Sequence, residues 1–117
     1  NVRAQVSTED LRRELAAASV LASQSSGIVR FTLGPADQLT LAARAEEEGE
    51  FEAVLPAKVE GGEGKIAFNV RYVDDFLSKV GTDAVELCTT TQTAPGVFRP
   101  VGEDGYLHLI MSMFVQW

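Results

Sequence analysis

The chain has 117 residues, 45% of them hydrophobic, with a net charge of −7 and a pI near 4.6. That length suits one domain with a full hydrophobic core, and no apolar run approaches the roughly 18 residues needed to cross a bilayer. The single cysteine, Cys88, rules out a disulfide framework and leaves a zinc site without ligands, and the acidic balance rules out nucleic-acid binding driven by overall charge.

One cysteine suits a reducing compartment such as the cytoplasm, and no secretion leader of basic then apolar residues opens the chain. A start at Asn1 instead of Met points to a segment of a longer protein. NVRAQV reads as a first strand. In STEDLRRELAAASVLAS, Ser7 or Thr8 can cap a helix, with Glu9 and Asp10 at its positive end. Leu11, Leu15, Ala18 and Ala22 follow at helical spacing, with Leu21 beside them, and SQSSG ends the element.

Three strands follow. IVRFTL places Val29, Phe31 and Leu33 on one face; QLTLAARA does the same with Leu39, Leu41 and Ala43; EEEGEFEAVLP puts Phe51, Ala53 and Leu55 opposite Glu50 and Glu52. GPADQ between the first two is turn chemistry, and EGGEG is a loop.

The pattern then starts again. KIAFNV is a strand with Ile66, Phe68 and Val70 in phase. RYVDDFLSKVG is a short helix with Tyr72, Val73, Phe76, Leu77 and Val80 as its apolar stripe and Gly81 as its stop; Arg71 with Asp75, and Asp75 with Lys79, are i,i+4 pairs on its wet side. AVELCTTT, GVFRPV and YLHLIMSMFV are three further strands. Residues 1–60 and 65–117 therefore share one order, strand–helix–strand–strand–strand, without sharing identities. Two helices with one stripe each bury both by packing side by side over sheets. The expected fold is a single α+β domain over 1–117, pseudo-twofold, with two helices packed on antiparallel sheets.

KIAFNVRYVDDFL, APGVFRPV and YLHLIMSMFV resemble parts of the last domain of the bacterial DNA sliding clamp, the β subunit of DNA polymerase III. The likeness is colinear from about Thr8 to Val115. Its most specific parts are Phe68, Asn69 and Tyr72, and the Met111 and Met113 of the ending, which in the family reads close to Tyr-Leu-x-Leu-Leu-Met-Pro-Met-Arg-Leu. The resemblance implies a non-catalytic processivity factor without metal or cofactor. This chain is then the third of three domains, and two parent chains close head to tail into a ring around duplex DNA. The ring tethers polymerase, clamp loader and repair proteins through linear peptide motifs.

The resemblance also assigns sites. The peptide pocket maps to Asn69, Tyr72, Pro95, Leu109, Met111, Ser112, Met113, Phe114 and Val115, with Ser112 standing where the family has Pro and Phe114 where it has Arg. Leu107, Leu109, Met111, Met113 and Val115 also alternate, so the same residues read as plain sheet core. The ring contact maps to Val20 and Leu21 at the end of the first helix and to Glu46, Glu47, Glu48, Glu50 and Glu52; acidic side chains on an edge strand equally discourage aggregation. Arg12, Arg13, Arg71 and Lys79 face the DNA in that scheme, or are ordinary solvated helix charges.

The alternative to a clamp is an α+β protein- or ligand-binding domain unrelated to DNA. An enzyme has the least support: His108 is the only histidine and has no partner set, GGEGKI lacks the spacing and following helix of a phosphate loop, and EEEGE lacks the alternating ligands of a calcium loop.

Overall fold

A computed structural model describes residues 1–45, 49–103 and 105–115. The first half is β1 (Val2–Ser7), α1 (Thr8–Ala22), β2 (Ile28–Leu33), β3 (Gln38–Ala45) and β4 (Gly49–Glu60). The second is β5 (Gly64–Asn69), α2 (Val70–Ser78), β6 (Ala84–Thr89), β7 (Gly96–Pro100) and β8 (His108–Ile110). The duplicated order expected from the sequence is the order observed.

Local chemistry explains both helix starts. Ser7 caps α1, its Oγ accepting the Asp10 backbone N–H at 3.2 Å, and Asn69 caps α2, its Oδ1 accepting the Arg71 N–H at 3.0 Å. The α2 core face is narrower than the sequence stripe. Val70, Val73, Phe76 and Leu77 are buried, whereas Tyr72 is exposed. A nine-residue helix offers the sheet one face, and Tyr72 lies beside it, not on it.

All strand neighbours are antiparallel, and the strands follow the order β5-β2-β3-β4-β1-β6-β7-β8. The two halves map onto each other through this order. β2 with β5 answers β6 with β1, β2 with β3 answers β6 with β7, and β3 with β4 answers β7 with β8. The counterpart of β4 with β1 lies past the end of β8, where the Met113 N–H donates to the Ala67 carbonyl of β5 at 2.7 Å.

The core sits where the halves meet. Phe31, Phe68, Phe76 and Phe98 come from both halves and are fully buried; Phe98 lies 6.3, 5.3 and 5.3 Å, centroid to centroid, from the other three. Each such ring is worth roughly 1.5–3 kcal/mol by burial, and edge-on or tilted pairs add about 0.5–1.5 kcal/mol. Gly96 makes the fit possible: a Cβ there would sit 2.4 Å from Phe68 Cζ.

Candidate functional site

Among the described residues, four of the seven exposed large hydrophobic side chains, Leu107, Leu109, Met111 and Phe114, lie in the closing segment. Opposite β7, Gly96 faces Ile110, Val97 faces Leu109 and Phe98 faces His108. That register turns Ile110 inward, 2% exposed, and leaves Leu109 and Met111 outside, Met111 67% exposed. The core reading of the Leu107, Leu109 and Met111 alternation is thus corrected: the opposite phase is the buried one. The segment is also a shorter strand than the sequence suggested, ending at Ile110. Beyond it the chain runs along β5, held at Met113.

This path makes two neighbouring cavities. One, of about 290 Å³, is lined by Tyr72, Asp75, His108, Leu109, Ile110 and Met111. The other, of about 210 Å³, is lined by Gln92, Thr93, Ser112, Met113, Phe114 and Val115, and Phe114 is 88% exposed. Tyr72 is brought to Leu109 and Met111 by α2 packing against β8, with the Phe76 ring 5.6 Å from the His108 ring. Asn69 has its side chain engaged in capping α2, and half-buried Pro95 lines neither cavity. Asp75 was not singled out for this lining from the sequence, although its position three residues after Tyr72 on one helix puts the two on a common side.

A second surface lies at the other closing strand. β1 covers only Ala57 to Glu60 of β4, so residues 49–56 are paired on the β3 side alone among the described residues. Ala57 and Val59 donate toward Asp37, so alternation turns the backbone groups of Glu50, Glu52 and Val54 to the unpaired side. Pro56 falls in the same phase, where its missing N–H leaves no ladder bond unmade. The exposed Val20 and half-buried Leu21 lie in the last turn of α1, a helix that packs on β3 and β4. The following loop is tied to β3 by Ser25 Oγ donating to the Arg44 carbonyl at 2.8 Å, and the Arg44 side chain pairs with Glu50 of β4 at 3.3 Å. Glu46, Glu47 and Glu48 lie outside the described residues, as do Gln116 and Trp117.

The four helix cations differ in what they touch. Arg12 Nε and Nη2 donate to the Leu77 carbonyl, and Nη2 also reaches the Val80 carbonyl at 2.7 Å, so α1 grips the last turn of α2. Arg13 pairs with Asp10 at 3.3 Å and Glu14 at 3.2 Å; the Glu14 hydrogen bond and the Asp10 charge hold its guanidinium above its ordinary pKa. Arg71 and Lys79 are exposed, and neither closes an ion pair with Asp75 among the described residues. Among the described residues no group of three or more metal-ligating side chains gathers, and no helix is long and apolar enough to cross a membrane.

A family model described as the DNA polymerase III beta subunit, C-terminal domain, matches residues 1–114. The chain belongs to that family. This clamp domain is 35% identical over 96 residues to the beta sliding clamp of Synechocystis sp., covering 81% of this chain and 25% of that protein. Over 108 residues it is 34% identical to the beta sliding clamp of Synechococcus elongatus, covering 89% and 29%. It superposes on the DNA polymerase III beta subunit of Thermotoga maritima with a TM-score of 0.93 at 27% identity, covering 98% of this chain and 31% of that one. The clamp domain thus spans between a quarter and a third of the length of these relatives. A domain unrelated to DNA, the alternative left open by the sequence, is not favoured by these matches.

Proposed function

We propose that this chain is the third domain of a ring-forming processivity clamp, and that its own task is to dock partner peptides. The parent protein is a non-catalytic, cytoplasmic homodimer that encircles duplex DNA without reading sequence. Polymerase, clamp loader and repair proteins attach by short linear segments at the closing strand of this domain. The observation that carries the reading is the row of Tyr72, Leu109, Met111 and Phe114. These are large apolar side chains left exposed beside two cavities, in a domain whose core is complete without them. Methionine adapts to differing partners, and tyrosine offers both a flat apolar face and a hydroxyl.

The ring contact falls to the one-sided stretch of β4 and the end of α1. A strand presenting free N–H and C=O groups is a template for a strand of another chain, and Val20 supplies exposed apolar area on the helix that packs on the same strands. Arg71 and Lys79 are the helix cations with charge to spare for a phosphate backbone. Arg12 and Arg13 keep exposed guanidinium surface but are already engaged within the domain.

The test is a titration of the chain with a fluorescent peptide carrying adjacent Leu and Phe, followed by polarisation and by methionine-methyl NMR. Binding in the high micromolar range or weaker, saturable shifts of the Met111 and Met113 methyl signals, and their loss in Tyr72→Ala with unchanged thermal stability are expected. Saturable binding that leaves both methyl signals in place would remove the closing strand as the site.

A further inference from the structure

We infer that Asp75 gives the Tyr72 cavity a preference for peptides with a basic side chain next to the apolar anchor. The inference rests on the docking role proposed above and adds the charge of the ligand to it. Three titratable side chains line the cavity: Tyr72, Asp75 and His108, the rest being Leu109, Ile110 and Met111. Asp75 is the one carboxylate among them. Its side chain has no hydrogen bond or ion pair among the described residues, although Arg71 and Lys79 stand one helical turn to either side of it. Its backbone carbonyl is used, accepting from Ser78 Oγ at 2.7 Å, and this keeps it within the last turns of α2.

The geometry sorts a ligand into two parts. An apolar side chain entering the cavity is covered by the Tyr72 ring and the Leu109 and Met111 side chains, which are otherwise exposed. The ligand residue beside it then lies along the α2 rim, where the charge that lines the cavity itself is the Asp75 carboxylate, with exposed Arg71 and Lys79 a turn away on either side. A lysine or arginine there gains an ion pair without displacing an existing one. A glutamate meets a like charge, on a domain that already carries −7. Because Asp75 is exposed, the effect is modest: exposed pairs shift affinity by about two- to fivefold. It is therefore a selector among partners, with the anchor supplying most of the binding.

The experiment uses the full 117-residue chain and three sets of fluorescein-labelled peptides. Each contains one Leu-Phe pair, with lysine, norleucine or glutamate placed in turn at each of the two positions on either side of it. At one position or more, lysine should bind at least about threefold tighter than glutamate, with norleucine between them. The gap should close in Asp75→Asn and shrink as salt rises from about 0.05 to 0.5 M. Equal affinities at every position, with the Met111 signal still shifting, overturn the charge preference and leave the docking site standing. A lysine preference that persists in Asp75→Asn also overturns it, placing the selecting charge elsewhere. Failure of every peptide to bind removes the docking reading and this inference together.

Discussion

The two halves end differently, and the difference locates the surfaces. β4 closes the first half as a twelve-residue strand that bridges β3 and β1. β8 closes the second as a three-residue strand, followed by chain that touches β5 through one backbone bond at Met113. A strand that has partners along its length has its side chains assigned to inside and outside. A strand cut short leaves apolar residues with no facing layer, and Leu109, Met111 and Phe114 are those residues. Where the duplication is kept, the molecule builds core; where it is broken, it exposes one bare backbone edge and one bare apolar row.

The sharpest way to test that division is to remove a ring that serves both halves. Phe98 touches Phe31 of the first half and Phe68 and Phe76 of the second. Phe98→Ala should cost about 3–5 kcal/mol in urea denaturation. Amide exchange should quicken at β4 and β8 together. Faster exchange at β8 alone would show two separately stabilised halves.

The next effect isolates the phase of the closing strand. Ile110 is buried and Met111 is not. Ile110→Ala should cost about 2–4 kcal/mol, while Met111→Ala stays within about 0.5 kcal/mol. Equal losses at the two positions would restore the core reading of the Leu-Met alternation.

That pair of residues also marks where the sequence could be read and where it could not. The succession of elements along the chain, both helices and a cap at Ser7 or Thr8 were legible, because apolar periods of 2 and 3.6 and a capping side chain are local signals. The phase of β8 was not. Residues 107–113 put Leu107, Leu109, Met111 and Met113 in one phase and Ile110 alone among apolar residues in the other, so the pattern points to the wrong face; the choice falls to the partner strand, since a one-residue slip turns every side chain over. The small Gly96 and the Phe98 ring across the ladder settle it, and they lie ten or more residues away in the chain. Tyr72 was misread for a related reason. A stripe drawn on a helix does not say how wide a face the sheet will cover. The one-sided stretch of β4 was likewise out of reach, because it depends on where β1 stops against it.

The smallest effect concerns how the unlike halves are held together at their helices. Arg12 reaches from α1 to the Leu77 carbonyl in the last turn of α2, which also accepts the Val80 N–H at 3.3 Å, and to the Val80 carbonyl just past the helix end. Arg13, one residue on, makes two ion pairs in solvent, with 61% of its side chain exposed. A count of charged contacts would make Arg13 the more important residue. Screening argues the reverse, because exposed pairs contribute little, whereas carbonyls at the negative end of a helix gain a charged donor. Arg12→Ala should lower stability by about 1 kcal/mol and speed amide exchange in the last turn of α2. Arg13→Ala should leave the denaturation midpoint within error of the parent. If the two substitutions behave alike, the helices are joined by their apolar stripes alone, and the Arg12 grip is a surface contact like its neighbour's.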